Sequence, residues 1–307
     1  MAPITPSVRL RKTASAALAL ILLLPACAPA ASLGPISESG RSITAAPKRI
    51  TAAIMGEPHA LYNKLNVGGT IPGTDALEEL VHSNLAILDN HGELAVQIGT
   101  AIPSIENGLW KVASDGHMEM TWKIRSGARW HDGTPLTSED LAFTIRVSRD
   151  VPEFRIPVFA GLEALETPDS STAIARWERP YINADALFTR AVASPIPRHL
   201  LEQSFLDNKA AFVDQPYWTS EFVGTGAFKL KELVQGSHVL LEANPDYALG
   251  RPKIDTIEVK FMSGSAIVAN LLANAVDVTL GRSISLEQAS ELVDRWTEGK
   301  LDVMPAA

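Results

Sequence analysis

Apolar side chains occupy every second position between residues 118 and 124, and polar side chains lie between them. This two-residue period predicts a strand with one buried face. The same alternation over residues 256–261 predicts a second strand. Shorter apolar stretches bounded by turn-forming residues predict further strands, at residues 49–55, 85–88, 93–98, 227–233, 238–242 and 276–280.

Four helices are predicted where a capping residue precedes an apolar stripe of helical spacing. In three of them a second polar side chain, three residues later, completes a capping box. The predicted caps are Asp75 with Glu78 for a helix reaching Asn84, Thr137 with Asp140, Ser265 for a helix reaching Ala275, and Ser285 with Gln288 for a helix reaching about Trp296. Strands and helices are mixed and hairpins are frequent, which predicts an α/β fold with an antiparallel insertion.

The amino terminus has the pattern of an export signal. Its only charges are Arg9, Arg11 and Lys12, and a nearly uninterrupted apolar run follows at residues 14–24. A basic stretch followed by 7–15 apolar residues is typical of a secretory signal, and such a run is too short to cross a bilayer. We therefore expect the chain to be exported.

Cys27 is the only cysteine, so the chain cannot form an internal disulfide. The preceding Leu24-Pro25-Ala26 together with Cys27 resembles the bacterial lipoprotein box, which predicts a lipid-anchored amino terminus. The alternative is an incidental cysteine in a conventional signal peptide. With lipid attachment at Cys27, residues 1–26 are the lipoprotein signal peptide, and residues 27–47, rich in Ala, Ser, Pro and Gly, are a flexible tether.

Composition narrows the class of protein further. The chain has 307 residues, 46% of them hydrophobic and 20% charged, with a net charge of −8. This composition is typical of globular proteins and excludes collagen-like or wholly disordered chains. A nucleic-acid partner is not expected, because no basic surface is indicated.

Motifs for catalysis and cofactor binding are missing from the sequence. There is no His-Glu-x-x-His, no Gly-x-Ser-x-Gly and no cysteine pair, and the seven histidines are scattered. The glycines of residues 68–73 have phosphate-loop spacing but lack the lysine, which favours a flexible loop. We predict no cofactor, no metal and no catalytic residue, while an extracytoplasmic hydrolase stays open as an alternative.

Four blocks, in order along the chain, carry a resemblance to a known family. They are residues 122–140 with Trp-His-Asp-Gly at their centre, residues 224–230 (Gly-Thr-Gly-Ala-Phe-Lys-Leu), residues 244–255 with Asn-Pro-Asp-Tyr at their start, and residues 275–278 (Ala-Val-Asp-Val). Together they resemble the bacterial extracellular solute-binding proteins of family 5, the oligopeptide and dipeptide class.

The resemblance implies a periplasmic-binding-protein-like (class II) lobe with a mixed sheet and an inserted α+β subdomain. Residues 48–70 and 196–281 correspond to the first-lobe core, and residues 71–195 to the insertion. Residues 282–307 correspond to the start of the crossover to a second lobe. We expect that second lobe to be missing, and peptide binding by this chain alone to be weak or absent.

Two groups of site residues follow. The loop after the first strand faces the ligand cleft in the family, so Gly56, Glu57, Pro58 and His59 are the candidate peptide-binding residues; a plain strand-ending turn is the alternative. The motif residues have the sequence pattern of turns and helix caps, so we expect them to be structural. We expect His131 to be a solvated hairpin residue. They are Trp130, His131, Asp132, Gly133, Thr137, Gly224, Gly226, Asn244, Pro245 and Tyr247.

The function implied is that of the substrate-binding component of a peptide-type ABC importer. The expected ligand is an oligopeptide or dipeptide that lies extended, and the expected partners are the permease subunits and the membrane that holds the lipid anchor. We expect a monomer in the periplasmic space or on the outer face of the cytoplasmic membrane. A lipoprotein fragment without transport activity is the remaining alternative.

Overall fold

The computed structural model describes residues 46–66, 71–89, 91–296 and 299–301. The predicted signal peptide, Cys27 and all but the last two residues of the predicted tether lie outside these residues. The strands are β1 Arg49–Met55, β2 Ala86–Leu88, β3 Leu94–Val96, β4 Trp110–Val112, β5 Met118–Lys123, β6 Leu162–Asp169, β7 Thr172–Trp177, β8 Phe228–Val234, β9 His238–Ala243, β10 Thr256–Met262 and β11 Val278–Thr279. The helices are α1 Thr74–Val81, α2 Ser138–Asp150, α3 Pro157–Ala160, α4 Arg198–Asp207, α5 Gly264–Leu272 and α6 Leu286–Arg295.

A mixed five-stranded sheet has the order β11-β1-β10-β9-β8. Strand β1 runs parallel to both β10 and β11, whereas β9 and β8 continue the sheet as an antiparallel pair. Ala52 and Ile54 face one hydrophobic cluster and Ala53 faces another. Burial on both faces is expected of a central strand with parallel neighbours.

A second sheet is antiparallel throughout, in the order β4-β5-β7-β6. Its inner face carries Met118, Met120 and Trp122, all buried, which confirms the alternation predicted for this strand. Its outer face carries a row of ion pairs that crosses all four strands, which we name the charged ladder. The ladder consists of Lys111, Glu119, Arg176 and Glu166.

Most of the predicted strands are confirmed to within one residue, and β2 and β3 form the predicted hairpin. The strand predicted at residues 276–280 is wrong in extent, because only Val278 and Thr279 pair with β1. The backbone N–H groups of Ala275 and Val276 instead donate to the carbonyl oxygen of Asn270 and extend the turn that ends α5.

The predicted capping boxes at Thr137 and Ser285 are both present. The cap of α5 is Ser263, two residues before the predicted Ser265, and its hydroxyl accepts from the N–H of Ala266. The cap predicted at Asp75 is also wrong. Helix α1 follows Gly73, whose φ is +97°, and it ends at Val81 because His82 is extended.

Helix α2 joins two hydrophobic clusters. Phe143 and Val147 pack in the cluster of the five-stranded sheet, while Leu141 and Ile145 pack beneath the four-stranded sheet. The helix therefore buries side chains on two sides. In the part of the chain that the structure describes, no helix has the length and apolar character needed to cross a bilayer.

Candidate functional site

The imidazole of His131 joins two of the sequence blocks that lie far apart in the chain. Its Nδ1 accepts from the backbone N–H of Gly224 at 3.2 Å, and its Nε2 lies 3.1 Å from the carbonyl oxygen of Gly226. The side chain is 9% exposed, so the prediction of a solvated hairpin residue is wrong. The physical reason is that the turn packs against the Gly-Thr-Gly segment instead of projecting into solvent.

The two contacts assign the protonation state of His131. A ring nitrogen that accepts an N–H must be unprotonated, and the opposite nitrogen, next to a carbonyl oxygen, must donate. Burial lowers the pKa of His131 to about 4, which agrees with a neutral ring. His131 is thus a hydrogen-bonded link between two segments at neutral pH.

Gly224 and Gly226 lie directly against the end of α1. A Cβ atom at Gly224 would be 1.9 Å from the carbonyl oxygen of Val81, and one at Gly226 would be 2.4 Å from the carbonyl carbon of Val81. Thr225 between them donates its hydroxyl to the carbonyl oxygen of Ser83 at 2.7 Å. Side chains are excluded at both glycines because the backbones approach so closely.

The third block meets the same junction. Asn244 donates from Nδ2 to the carbonyl oxygen of Gly226 at 3.1 Å. This oxygen therefore accepts hydrogen bonds from both Asn244 and His131. The hydroxyl oxygen of Tyr247 lies 3.0 Å from the hydroxyl oxygen of Ser83. Pro245 is exposed within the turn. Three blocks of the sequence therefore converge on one carbonyl group.

The remaining motif residues surround this junction. Trp130 is buried, stacks on His82 with a centroid distance of 5.8 Å, and has its indole nitrogen 3.4 Å from a carboxylate oxygen of Asp140. Asp132 pairs with His199 at 2.7 Å. The turn is closed by Gly133 with φ of +92°, and Thr137 caps α2.

The candidate ligand residues lie at a different place, where the parallel strands end. Since β1, β10 and β11 run in the same direction, their carboxyl ends share one edge of the sheet. Ligands of open α/β sheets bind at such an edge. Gly56, Glu57, Pro58 and His59 follow β1 there; Pro58 is buried, His59 is exposed, and the other two are half-buried.

The backbone of this segment is only partly paired. Gly56 donates its N–H to the carbonyl oxygen of Ile54 at 3.0 Å. The carboxylate of Glu57 accepts from the N–H of Gly236 at 2.9 Å. By contrast, the backbone N–H groups of Glu57 and His59 have no hydrogen-bond partner among residues 46–66, 71–89, 91–296 and 299–301.

A groove with a volume of about 620 Å³ adjoins His59. Its lining includes the apolar side chains of Leu65, Val213 and Trp218 and the carboxylates of Glu153 and Asp214. The groove adjoins the β1 loop directly, because His59 and Ala60 are among its lining residues.

Two residues near this edge were not predicted as site residues from the sequence. Glu78 is 2% exposed, and burial raises the pKa of its carboxyl group to about 7. Asn66 is 6% exposed and bonds to the loop that follows β1. Glu78 is spaced four residues after Thr74 and three before Val81, so helical periodicity alone places it on the buried face. The capping role expected of it is wrong for that reason.

Within the described ranges, no three His, Cys, Asp or Glu side chains are grouped so that they could hold an ion.

Comparison with known families gives one model that matches residues 102–297, described as bacterial extracellular solute-binding proteins, family 5 Middle. Among curated proteins, the oligopeptide-binding protein AppA of Bacillus subtilis is 28% identical over 276 residues, which are 87% of this chain and 48% of AppA. A putative ABC transporter peptide-binding protein of Brucella ovis is 31% identical over 169 residues, 54% of this chain and 31% of that protein. The chain thus spans less than half of the length of these relatives.

Solved structures show the same fold. AppA of B. subtilis in complex with a nonapeptide superposes with a TM-score of 0.63 at 24% identity, covering 75% of this chain and 44% of AppA. The oligopeptide-binding protein of Thermus thermophilus in complex with a pentapeptide has a TM-score of 0.70 at 21% identity, covering 80% and 47% of the two chains. The architecture is therefore that of a periplasmic-binding-protein-like α/β protein, as the sequence predicts.

Proposed function

The chain belongs to the bacterial extracellular solute-binding proteins of family 5, and from this premise we propose that it binds extended peptides at the carboxyl edge of its five-stranded sheet. The ligand main chain pairs with residues 56–59. In this proposal the protein is the substrate-binding component of a peptide-type ABC importer and carries out no chemical step on its ligand.

The observation that carries the proposal is the pair of backbone N–H groups at Glu57 and His59 without partners among the described residues. An exposed backbone donor gains a hydrogen bond when an extended peptide supplies a carbonyl group, as in strand addition. The two donors are two residues apart, which matches the repeat of an extended chain. Recognition through the main chain leaves the ligand side chains free to vary.

The names of the relatives agree with this ligand class. AppA is named as an oligopeptide-binding protein and a probable D,D-dipeptide-binding periplasmic protein of Escherichia coli is also similar to this chain. The groove beside His59 offers room for a ligand side chain, because 620 Å³ lies within the range of about 300–1,000 Å³ typical of ligand sites.

We assign the structural units as follows. Residues 48–70 and 196–281 form the core that carries the binding edge, because all five strands of the mixed sheet come from these ranges. Residues 71–195 form the inserted subdomain around the four-stranded sheet, although α1 and one side of α2 pack with the core. Residues 282–307 are assigned to the start of the crossover, and within them Leu292 of α6 packs in one hydrophobic cluster with Ala53 of β1.

The motif residues are assigned a scaffold role in the same proposal. Asn244 and His131 fix the carbonyl group of Gly226, and the block of Trp130, Asp132, Gly133 and Thr137 fixes the start of α2. This arrangement joins the insertion to the core. Its effect on binding is indirect, since it keeps the sheet and its edge in place.

Export and anchoring complete the proposal. We assign residues 1–26 to a signal peptide and Cys27 to the lipid attachment site, so that the protein is held as a monomer at the outer face of the cytoplasmic membrane. From there it delivers peptides to the permease subunits of the importer.

A titration followed by nuclear magnetic resonance tests the binding site. The ¹⁵N-labelled chain is titrated with a pool of di- to pentapeptides, and the amide signals of Glu57 and His59 are expected to shift saturably, because an extended peptide supplies carbonyl groups to both N–H groups. An equal mass of free amino acids is the control and is expected to cause no saturable shift. Saturable shifts confined to other parts of the chain would overturn the assignment.

A further inference from the structure

The loop after β1 has an open part and a closed part. Residues 56–59 include two backbone donors without a partner in the described part of the chain, whereas residues 60–66 are held by the buried side chains of Asn66 and Glu78. We name residues 60–66 the clasped segment. It continues directly from the candidate ligand residues, so it constrains the backbone on the carboxyl side of His59.

Asn66 closes the clasped segment on itself. Its Oδ1 accepts from the backbone N–H of Ala60 at 3.0 Å, and its Nδ2 donates to the carbonyl oxygen of Ala60 at 3.0 Å. A side-chain amide can satisfy both groups of one residue because it carries a donor and an acceptor in one plane. Asn66 thereby holds the residue that immediately follows His59.

Glu78 holds the middle of the same segment from α1. Its Oε2 accepts from the N–H of Asn63 at 3.2 Å, and its Oε1 accepts from the hydroxyl of Ser194 at 3.0 Å. Thr74, one turn earlier in α1, donates its hydroxyl to Oδ1 of Asn63 at 3.0 Å. The helix therefore holds Asn63 through both its backbone and its side chain.

Burial of these groups shows how strongly the segment is constrained. Asn66 and Glu78 are 6% and 2% exposed. When one partner of a buried hydrogen bond is removed, the other partner is left unpaired and out of reach of water. This lowers the free energy of unfolding by about 1–3 kcal/mol. Tyr62 of the clasped segment adds a further buried bond, since it donates its hydroxyl to the carbonyl oxygen of Ser194 at 2.9 Å.

We propose that Asn66 and Glu78 are positioning residues for peptide binding. They do not touch the ligand; they hold the clasped segment so that the N–H groups of Glu57 and His59 are fixed before the peptide arrives. This inference rests on the proposed function. Fixing a binding loop in advance raises affinity because less conformational freedom is lost on binding.

The test compares variants in the clasp with a matched buried asparagine elsewhere. Asn66→Ala removes both bonds to Ala60. Asn66→Asp, the second variant, keeps the acceptor for the N–H of Ala60 but sets a carboxylate oxygen against the carbonyl oxygen of Ala60. Asn84→Ala is the control, because Asn84 is 3% exposed and lies outside the loop. Peptide affinity, melting temperature and ¹⁵N relaxation of residues 57 and 59 are measured for each.

Both Asn66 variants are expected to weaken peptide binding, the alanine variant by about tenfold, and to increase the mobility of residues 57 and 59. Asn84→Ala is expected to leave affinity within about twofold whatever its effect on the melting temperature, because it removes no bond to the loop. An equal loss of affinity in Asn66→Ala and Asn84→Ala would show that Asn66 affects binding only through the stability of the whole fold. That result would overturn the inference.

Glu78 is tested with an alanine variant and a conservative glutamine variant. Glu78→Ala removes both acceptors and is expected to weaken binding and to mobilise the loop. Glu78→Gln retains an acceptor for Asn63 and a donor that the hydroxyl of Ser194 can accept, so it is expected to restore both readouts. If the alanine and glutamine variants behave alike, Glu78 does not position the loop.

The relaxation measurement needs no ligand and separates the two proposals. A chain that binds no peptide, but whose residues 57 and 59 become mobile in Asn66→Ala, contradicts the proposed function and leaves the clasp standing. A chain that binds peptide with unchanged affinity and unchanged mobility in both Asn66 variants contradicts the clasp alone.

Discussion

The Nε2 atom of His131 and the carbonyl oxygen of Gly226, 95 positions apart in the sequence, lie 3.1 Å apart in the fold. Through this bond the turn before α2 is attached to the segment that leads into β8. The contact requires a neutral imidazole, because Nδ1 must remain free to accept the N–H of Gly224. The junction is therefore sensitive to acid.

The first prediction concerns acid stability. Burial lowers the pKa of His131 to about 4 and that of His82, which stacks on Trp130, to about 3, from an ordinary value of 6.5. The unfolded chain takes up these protons first, so the stabilisation is complete above pH 6.5 and is lost as the pH falls towards the folded values. At pH 5 the protonation of each histidine in the unfolded chain is expected to lower the free energy of unfolding by about 2 kcal/mol.

Urea unfolding at pH 7.5 and pH 5.0 measures this loss, best in the Glu78→Gln background where that carboxyl no longer titrates. The expected decrease is about 4 kcal/mol. Imidazole signals of His82 and His131 should stay constant over the same interval in the folded protein. Titration of either ring above pH 6 would show that it is not buried as described.

Glu78 has the opposite pH dependence. Its folded pKa of about 7 lies above the ordinary value of 4.5 because burial disfavours the charged carboxylate. Its contribution is therefore intact below pH 4.5 and is lost as the pH rises through 7. Glu78→Gln is expected to stabilise the protein by about 3 kcal/mol at pH 8 and by about 1 kcal/mol at pH 5, as measured by urea unfolding. An equal effect at the two pH values would contradict the buried carboxyl.

Two glycines of the family blocks should respond differently to substitution. Gly224→Ala places a methyl group 1.9 Å from the carbonyl oxygen of Val81, so it should cost about 3 kcal/mol or more by forcing the backbones apart. Gly133→Val meets no atom within 4 Å but is strained at φ of +92°, so it should cost about 1–3 kcal/mol. Thermal unfolding of both variants tests this order, and a milder effect at Gly224 than at Gly133 would contradict the close contact.

The sequence predicted the local elements well and their long-range contacts poorly. The strand at Met118–Lys123 and the capping box at Thr137 depend on neighbours a few residues away, so periodicity and spacing were sufficient. The burial of His131 depends on Gly224, 93 positions later. Its turn setting alone indicated a solvated side chain.

The same distinction applies to the candidate site. The resemblance indicated residues 56–59, and the structure adds what no local pattern contains, namely which backbone donors of that segment lack partners among the described residues. The capping role expected of Glu78 was wrong because its buried position places the carboxylate against Asn63 and Ser194. In other chains, helical periodicity can identify such a residue, because it shows when an acidic side chain falls among the apolar positions of a buried helix face.

Lipid attachment at Cys27 is a separate prediction, because this residue lies outside the described part of the chain. In a bacterial host the parent chain should incorporate labelled fatty acid and sediment with membranes, while Cys27→Ser should do neither. The signal sequence is identical in both, so export itself is controlled. Equal labelling and equal sedimentation of the two proteins would contradict the anchor.

Photo-crosslinking of a bound peptide tests the central claim most directly. A pentapeptide carrying a photoreactive phenylalanine analogue is irradiated with the purified chain, and the adducts are mapped by mass spectrometry with an excess of unlabelled peptide as competitor. The account predicts competed adducts at residues 56–59 and in the adjoining groove. Competed adducts found only on the charged ladder of the four-stranded sheet, with none at the carboxyl edge of β1, would contradict it.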